Sequence, residues 1–209
     1  MCTLHRVRWT ITPRFSPQPW IACSGCGTQK PFQSSGKIRL NANGKKLDAW
    51  LIYRCRDCKR TWNRPLFERA ARSELDSATL DALHFSDPDW VRTHEFAIDD
   101  LRRRASHVDE YAEADIVKET LSGVSNSPAM VIELKVALSS SLRLDRLLST
   151  ELGVSRARLR VLYERGLLRV ESARRDALRR RIKDGMEISL DCRIGFLPSP
   201  CKRSAAGRG

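Results

Sequence analysis

The chain has 209 residues, 30% of them charged, with a formal net charge of +13. That length suits one medium domain or two small ones, and the longest uninterrupted apolar run, Ala49 to Tyr53, is too short to cross a bilayer as a helix. The charge divides unevenly: residues 1–64 carry +11, residues 65–140 carry −7 and residues 141–209 carry +9. No membrane partner is expected; two basic ends around an acidic spacer point to a polyanion, RNA ahead of DNA, as the partner, with the acidic middle open to a protein partner. An arginine-rich genome would produce some of the same bias, and that reading stays open.

Residues 1–22 hold Trp9, Ile11, Phe15, Trp20 and Ile21, interrupted by Pro13, Pro17 and Pro19, which implies an extended lead-in rather than a helix. Val7 to Ile11 alternates apolar and polar and is expected to add a strand to the module that follows. His5, Arg6 and Arg8 stand where a secretory signal would need an apolar core, so the protein reads as cytoplasmic and its cysteines as reduced.

Two Cys-x-x-Cys pairs come next, Cys23-Ser-Gly-Cys26 and Cys55-Arg-Asp-Cys58, with 28 residues between them. Each such turn brings two sulfurs to one side of a metal, so a four-coordinate site needs two turns brought together by folding. Lys37 to Leu40 and Leu47 to Tyr53 have strand character around Asn41-Ala-Asn-Gly44, a hairpin able to do that. The expectation is an antiparallel zinc ribbon over residues 1–64, holding one structural Zn²⁺ on Cys23, Cys26, Cys55 and Cys58. Iron would accept the same four sulfurs. A disulfide pair or a redox Cys-x-x-Cys is disfavoured by compartment and by the absence of a βαβ context. Gly25 and Gly27 give the first turn the backbone freedom it needs, whereas the second lacks a glycine after Cys58. Trp9, Trp20, Trp50, Tyr53 and Trp62 are expected to pack around the knuckles, with base stacking as the functional alternative.

From Leu66 to Val108 the pattern turns helical, and residues 65–140 form an acidic, mainly helical middle segment. Asp87 as cap and Pro88 as first residue predict a helix running to about Ser106, with Trp90, Val91, His94, Ala97, Ile98 and Leu101 on one face. His94 in that stripe reads as a core histidine. Ser122 to Pro128 is a linker candidate, and alternation over Ala129 to Leu138 predicts a half-buried strand.

Residues 141–192 form a small α+β module. Arg143-Leu-Asp-Arg-Leu-Leu opens a short helix that Gly153 breaks; Ser155 caps a second that Gly166 ends; Leu167 to Val170 is strand-like. A further strand pair near Arg181-Ile182 and Met186 to Leu190 is expected around Lys183-Asp184-Gly185. Arg156 and Arg160, one turn apart, share a helix face. Residues 193–209 read as a disordered basic tail, and Cys2, Cys192 and Cys201 have no ligand spacing.

The order Arg143-Leu-Asp, Gly153, Ser155-Arg156, Gly166 and Arg169-Val170, followed by Lys183-Asp-Gly, resembles the S4 RNA-binding domain. The resemblance implies a surface that recognises folded RNA by shape and phosphate contacts, at Arg143, Arg146, Arg156, Arg158, Arg160 and Arg169. The family commonly has an Asn-Gly turn after the position of Val170, where this chain has Glu171-Ser-Ala-Arg. Separately, Lys37 to Cys55, continuing through Thr61-Trp-Asn63, is similar to a bacterial family of zinc-ribbon proteins classed only as a domain of unknown function. Together these readings give an α+β chain made of a zinc ribbon, a helical middle and an S4-like module. The expected role is a non-enzymatic, zinc-containing RNA-binding protein, with a DNA-binding regulator or protein-interaction adaptor as the alternative. No glycine-rich phosphate loop, Ser-His-Asp order or paired carboxylates suggests catalysis.

Overall fold

The computed structural model describes residues 4–123, 127–171 and 176–191. In chain order these form β1 (Leu4–Pro13), β2 (Gln18–Ala22), β3 (Gln29–Asn43), β4 (Lys46–Cys55), β5 (Thr61–Ala71), α1 (Ser77–Phe85), α2 (Pro88–Glu95), α3 (Ile98–Arg104), β6 (His107–Asp109), β7 (Ala114–Ser122), β8 (Ala129–Lys135), α4 (Leu144–Leu152), α5 (Arg156–Glu164), β9 (Leu168–Val170) and β10 (Glu187–Asp191). Short 3₁₀ turns lie at Arg72–Glu74 and Ala177–Arg179. The result is a mixed α and β structure with two five-stranded sheets. No helix among the described residues is long and apolar enough to cross a membrane. The expected basic tail, Cys2, Cys192, Cys201 and Ser172 to Arg174 lie outside the described residues.

The chain divides into two compact units, one of residues 16–110 and one that joins residues 1–15 to those after 110. This division does not coincide with the boundaries expected at 64/65 and 140/141.

In the unit of residues 16–110 the strand order is β5-β4-β3-β2-β6. The β3–β4 hairpin forms where Asn41 to Gly44 predicts it, with Asn43 paired to Lys46 and Gly44 at φ +61°. Strand β4 is the axis of this unit. Leu47, Ala49, Leu51, Tyr53 and Cys55 alternate onto its inner face and are all buried, as the period of two requires. Leu83 of α1, Val91 of α2 and Leu101 of α3 cover that face in two apolar clusters.

Two expectations about this unit are corrected. Residues 66–71 are not helical: β5 continues to Ala71, with Pro65 opposite Trp50 and Phe67 opposite Ala49. Pro65 is tolerated because β5 is the sheet edge. The helix expected from Pro88 to Ser106 is two helices, α2 and α3, separated at Phe96 and Ala97. Its start is as expected, since the Asp87 carboxylate accepts the Trp90 amide at 2.8 Å.

The other unit has strand order β7-β1-β8-β10-β9. β1 runs antiparallel to β7 and parallel to β8, so the expectation that Val7 to Ile11 extends the ribbon is wrong. Its alternation was legible, but its partners lie more than 100 residues away. Val7, Trp9 and Ile11 bury their side chains with Met130, Ile132 and Leu134 of β8 and with Leu144, Leu147, Leu148, Leu159 and Leu162 of α4 and α5. Trp9 is a core residue here and does not pack on a cysteine knuckle. Strand β7 falls within residues 65–140, expected to be mainly helical, and ends at Ser122, where the linker candidate begins.

Helices α4 and α5 start and stop as expected. Gly153 ends α4 at φ +64°, and the Ser155 hydroxyl accepts the Arg158 amide at 3.2 Å. The local strand pair around Lys183 to Gly185 does not form: Arg181 bridges Arg143, and β10 pairs with β8 and β9. Asp184 instead accepts the Val136 amide at 2.7 Å. That bond and the Gly185 amide to Leu134 carbonyl bond at 2.9 Å tie the turn to β8, so it closes a longer-range pairing.

Candidate metal centre and basic groove

The first cysteine knuckle joins β2 to β3 and the second joins β4 to β5. They are built alike. The Gly27 amide donates to the Cys23 carbonyl at 2.8 Å and the Lys59 amide to the Cys55 carbonyl at 3.1 Å; the Cys23 amide donates to Thr28 and the Cys55 amide to Arg60, at 2.9 and 2.8 Å. Each turn needs a residue with positive φ after its second cysteine. Gly27 meets this at +71°, and Lys59 meets it at +64° despite its side chain. The missing glycine is therefore absorbed as backbone strain of about 1–2 kcal/mol. At Gly25 the constraint is space: a Cβ there would lie 2.8 Å from Arg60 Cγ and 3.0 Å from Cys58 Sγ.

The four sulfurs lie within 4.8 Å of one another. Cys23 and Cys58 Sγ are 3.3 Å apart and Cys26 and Cys55 Sγ are 3.9 Å apart. A disulfide requires about 2.05 Å. Four sulfurs set tetrahedrally at about 2.3 Å around one ion would be separated by roughly 3.8 Å, so this cluster has the dimensions to hold a metal ion. Cys23 and Cys55 are buried, Cys26 is half-buried and Cys58 is exposed, so protein covers one side of the cluster.

The thiol chemistry suits ligation. Burial acts to raise the Cys23 thiol, but bonds from the Cys58 thiol and the Cys26 and Gly25 amides outweigh it and hold it at about 7. Cys26, hydrogen-bonded to Cys58 and desolvated, is pushed up to about 12. Thiols must lose their protons to ligate a metal, so metal binding at such a cluster is coupled to proton release. Lys30 extends to Asp57 on the second knuckle at 2.7 Å, and the hydrogen bond and charge of this ammonium depress the Asp57 carboxyl.

Tyr53 and Trp62 pack beside the knuckles, ring centroids 5.3 Å apart, in the apolar cluster that contains Cys23, Cys55 and Phe32. Trp20 hydrogen-bonds Asp109 through its indole nitrogen at 2.7 Å. Arg64, buried on β5, binds Asp100 of α3 through two nitrogens, each at 2.8 Å, and donates to the His94 carbonyl at 2.8 Å and the Tyr53 hydroxyl at 3.3 Å. Burial pushes Tyr53 up to about 12 against the opposing charge of Arg64. Desolvation, then the Arg64 charge, lowers His94, whose ring lies 3.8 Å from that of Trp90 between centroids.

In the other unit, an open groove of about 970 Å³ is lined by Arg143, Arg156, Arg160 and Arg179 together with the carboxylates of Asp145, Glu164 and Asp176, with Tyr163 and Leu178 among its walls. Three of the six arginines singled out in the sequence thus come together. Arg156 and Arg160 meet because they are four residues apart on α5, whereas Arg158, two positions along, projects away from that face. Arg146 and Arg158 are exposed on α4 and α5, and Arg169 donates to the Gly166 carbonyl at 3.1 Å. None of these three lines the groove. Arg179 was missed because a 3₁₀ turn far along the chain carries it, and only the basic run Arg179 to Arg181 could have drawn attention to it.

Carboxylates hold two of the four groove arginines in place. Arg143 makes a two-point contact with Asp145 at 3.1 and 2.6 Å, and Arg160 binds Glu164 at 2.8 Å. A guanidinium has five N–H donors, so each pairing leaves donors for a second acceptor.

The family model described as protein of unknown function (DUF1062) matches residues 40–174, well over half of the chain. The match takes in Cys55, Cys58 and the arginines from Arg143 to Arg169, and it begins after Cys23 and Cys26. Searches of curated proteins and of solved structures each returned no match.

Proposed function

The chain belongs to the DUF1062 family, whose description assigns no activity, and from that premise we propose that it is a non-enzymatic RNA-binding protein stabilised by one structural zinc ion. The observation that carries the reading is the convergence of Arg143, Arg156, Arg160 and Arg179 on one groove from three separate elements. An open, arginine-lined concavity with an aromatic wall suits phosphate and base contacts. The likeness of residues 143–185 to the S4 RNA-binding domain, and the placement of its two helices and following strand, support the same reading. Folded RNA is favoured over DNA on that likeness.

Zinc is proposed because the donors are all sulfur and their separations suit a tetrahedron. Such a site, once filled, has no open coordination position, which favours a structural role over catalysis. Cys23, Cys26, Cys55 and Cys58 would hold the ion and thereby join the β2–β3 and β4–β5 connections, as a zinc ribbon does.

The test is filter binding of the purified chain to matched structured RNA and duplex DNA across a salt series. Contacts to four phosphates would lower the RNA association constant by roughly a thousandfold per tenfold increase in salt. Arg143→Gln, Arg156→Gln, Arg160→Gln and Arg179→Gln combined should weaken RNA binding and flatten that slope. Unchanged affinity in the combined variant, or equal affinity for DNA, refutes the assignment. Elemental analysis should find about one zinc per chain; iron would replace zinc in this reading, and the absence of metal would refute it.

A further inference from the structure

Helix α1 has two distinct faces. Leu80 and Leu83 pack into the core, while Ala78, Asp81, Ala82 and Phe85, spaced i, i+3, i+4 and i+7, form a second stripe. Helix α2 faces this stripe with Asp87, Asp89, Trp90 and Thr93, and the two enclose a groove of about 490 Å³. Its lining includes two small alanines and two aromatic rings. Phe85 is 75% exposed, more than any other large hydrophobic side chain among the described residues. Its ring meets that of its neighbour His84 edge-on at 5.1 Å between centroids.

The charge lining this groove is one-sided. None of its lining residues is basic. Asp87 is engaged as the α2 cap, but the Asp81 and Asp89 carboxylates form no ion pair among the described residues. Carboxylates repel the phosphates of a nucleic acid, so this surface is unsuited to the polyanion proposed for the arginine groove. Pairing of the face with its own copy about a two-fold axis would set the same carboxylates against each other. A basic, partly apolar chain satisfies both the rings and the charges. At physiological salt the screening length is about 8 Å, so a bound chain responds chiefly to the charges nearest it, and those lining the groove are carboxylates.

We propose that the groove between α1 and α2 docks a basic segment of another protein, an apolar side chain entering between Phe85 and Trp90 and flanking Lys or Arg residues meeting Asp81 and Asp89.

The test uses the full chain and a fluorescein-labelled peptide, Gly-Lys-Arg-Leu-Leu-Lys-Arg-Gly, followed by anisotropy at 0.15 M salt. Two control peptides replace both leucines by glycine or all four basic residues by glutamate. Saturable binding of the first peptide alone is expected, and Asp81→Lys with Asp89→Lys should weaken it at least about tenfold. Phe85→Ala should weaken it by a similar factor, with circular dichroism unchanged in both variants because these side chains lie outside the core. Equal binding by the Asp81→Lys/Asp89→Lys variant, or equal binding of the glycine control, overturns the proposal. So does a concentration-dependent dimer in sedimentation that Phe85→Ala abolishes, since the occupant would then be a second copy.

Discussion

Arg64→Met offers a demanding test of how the helices are tied to the strands that carry the cysteines. Arg64 lies three residues beyond the start of β5, is 2% exposed, and reaches Asp100, the His94 carbonyl and the Tyr53 hydroxyl. Methionine occupies a comparable path through the core, so the loss is electrostatic rather than a cavity. It leaves the Asp100 carboxylate, 21% exposed, with only the peripheral guanidiniums of Arg103 and Arg104, both at 3.1 Å. It also removes the partner of a hydroxyl on fully buried Tyr53. Breaking a buried pair by removing one partner costs about 3–5 kcal/mol, a large share of the roughly 5–15 kcal/mol that stabilises a typical domain. Urea unfolding followed by tryptophan fluorescence should show this loss in Arg64→Met. Removing both charges, as Arg64→Met with Asp100→Leu, should recover at least half of it. A loss below about 1 kcal/mol in the single variant, or no recovery in the double, would show that this pair does not pin α3 to β5.

Acid should act through the same pair. Burial opposes ionisation of Asp100, but the hydrogen bond and charge of Arg64 win and hold its carboxyl below the ordinary value of 3.8. A depressed folded-state pKa gives stability that is present above the unfolded value and is lost as pH falls through the folded one. Asp100→Asn should therefore be less stable at pH 7 and flatter between pH 5 and pH 2 in urea titrations, and parallel profiles would contradict this. Lys59→Gly should raise stability by up to about 1 kcal/mol, because relief of the left-handed strain exceeds the added chain entropy, and a drop in the urea midpoint would argue against strain there. Gly25→Ala should weaken metal retention in a chelator competition, since the new methyl presses on Arg60 and the Cys58 sulfur; unchanged retention would mean that the knuckle relaxes freely. Trp9→Ala should cost about 3–5 kcal/mol in urea unfolding, as expected for a wholly buried ring with Lys118 Nζ 4.8 Å from its centroid; a surface-like loss would place Trp9 outside the core.

What could be read from residue order was whatever local chemistry specifies. The cysteine knuckles, the Asn41 to Gly44 turn, the Asp87 cap and the Gly153 and Gly166 stops all depend on a few neighbouring residues, and all stand where expected. Strand partnership is not specified that way. Alternation marks Val7 to Ile11 as a strand but cannot say that Ile116 and Leu134 lie on either side of it. The separation of α2 from α3 was hidden because neither glycine nor proline marks Phe96-Ala97, and the apolar stripe continues across it. Strand β7 was obscured by its charge. Lys118 faces inward over Trp9 and meets Glu151 at 2.7 Å, so a buried position there carries an ammonium. The arginine groove was half legible, since helical spacing paired Arg156 with Arg160 while Arg179 arrives through tertiary packing.

The position of β1 also sets a schedule for the growing polypeptide. Residues 4–13 leave the ribosome about 100 residues ahead of the two strands that flank them, both of which lie beyond residue 113. At about 5–20 residues per second that wait lasts on the order of 5–20 seconds. During it, Val7, Trp9 and Ile11 are hydrophobic side chains with no sheet to join, while every strand of the 16–110 unit has already been synthesised. A chaperone that holds nascent chains has an apolar target in Val7, Trp9 and Ile11 for that interval.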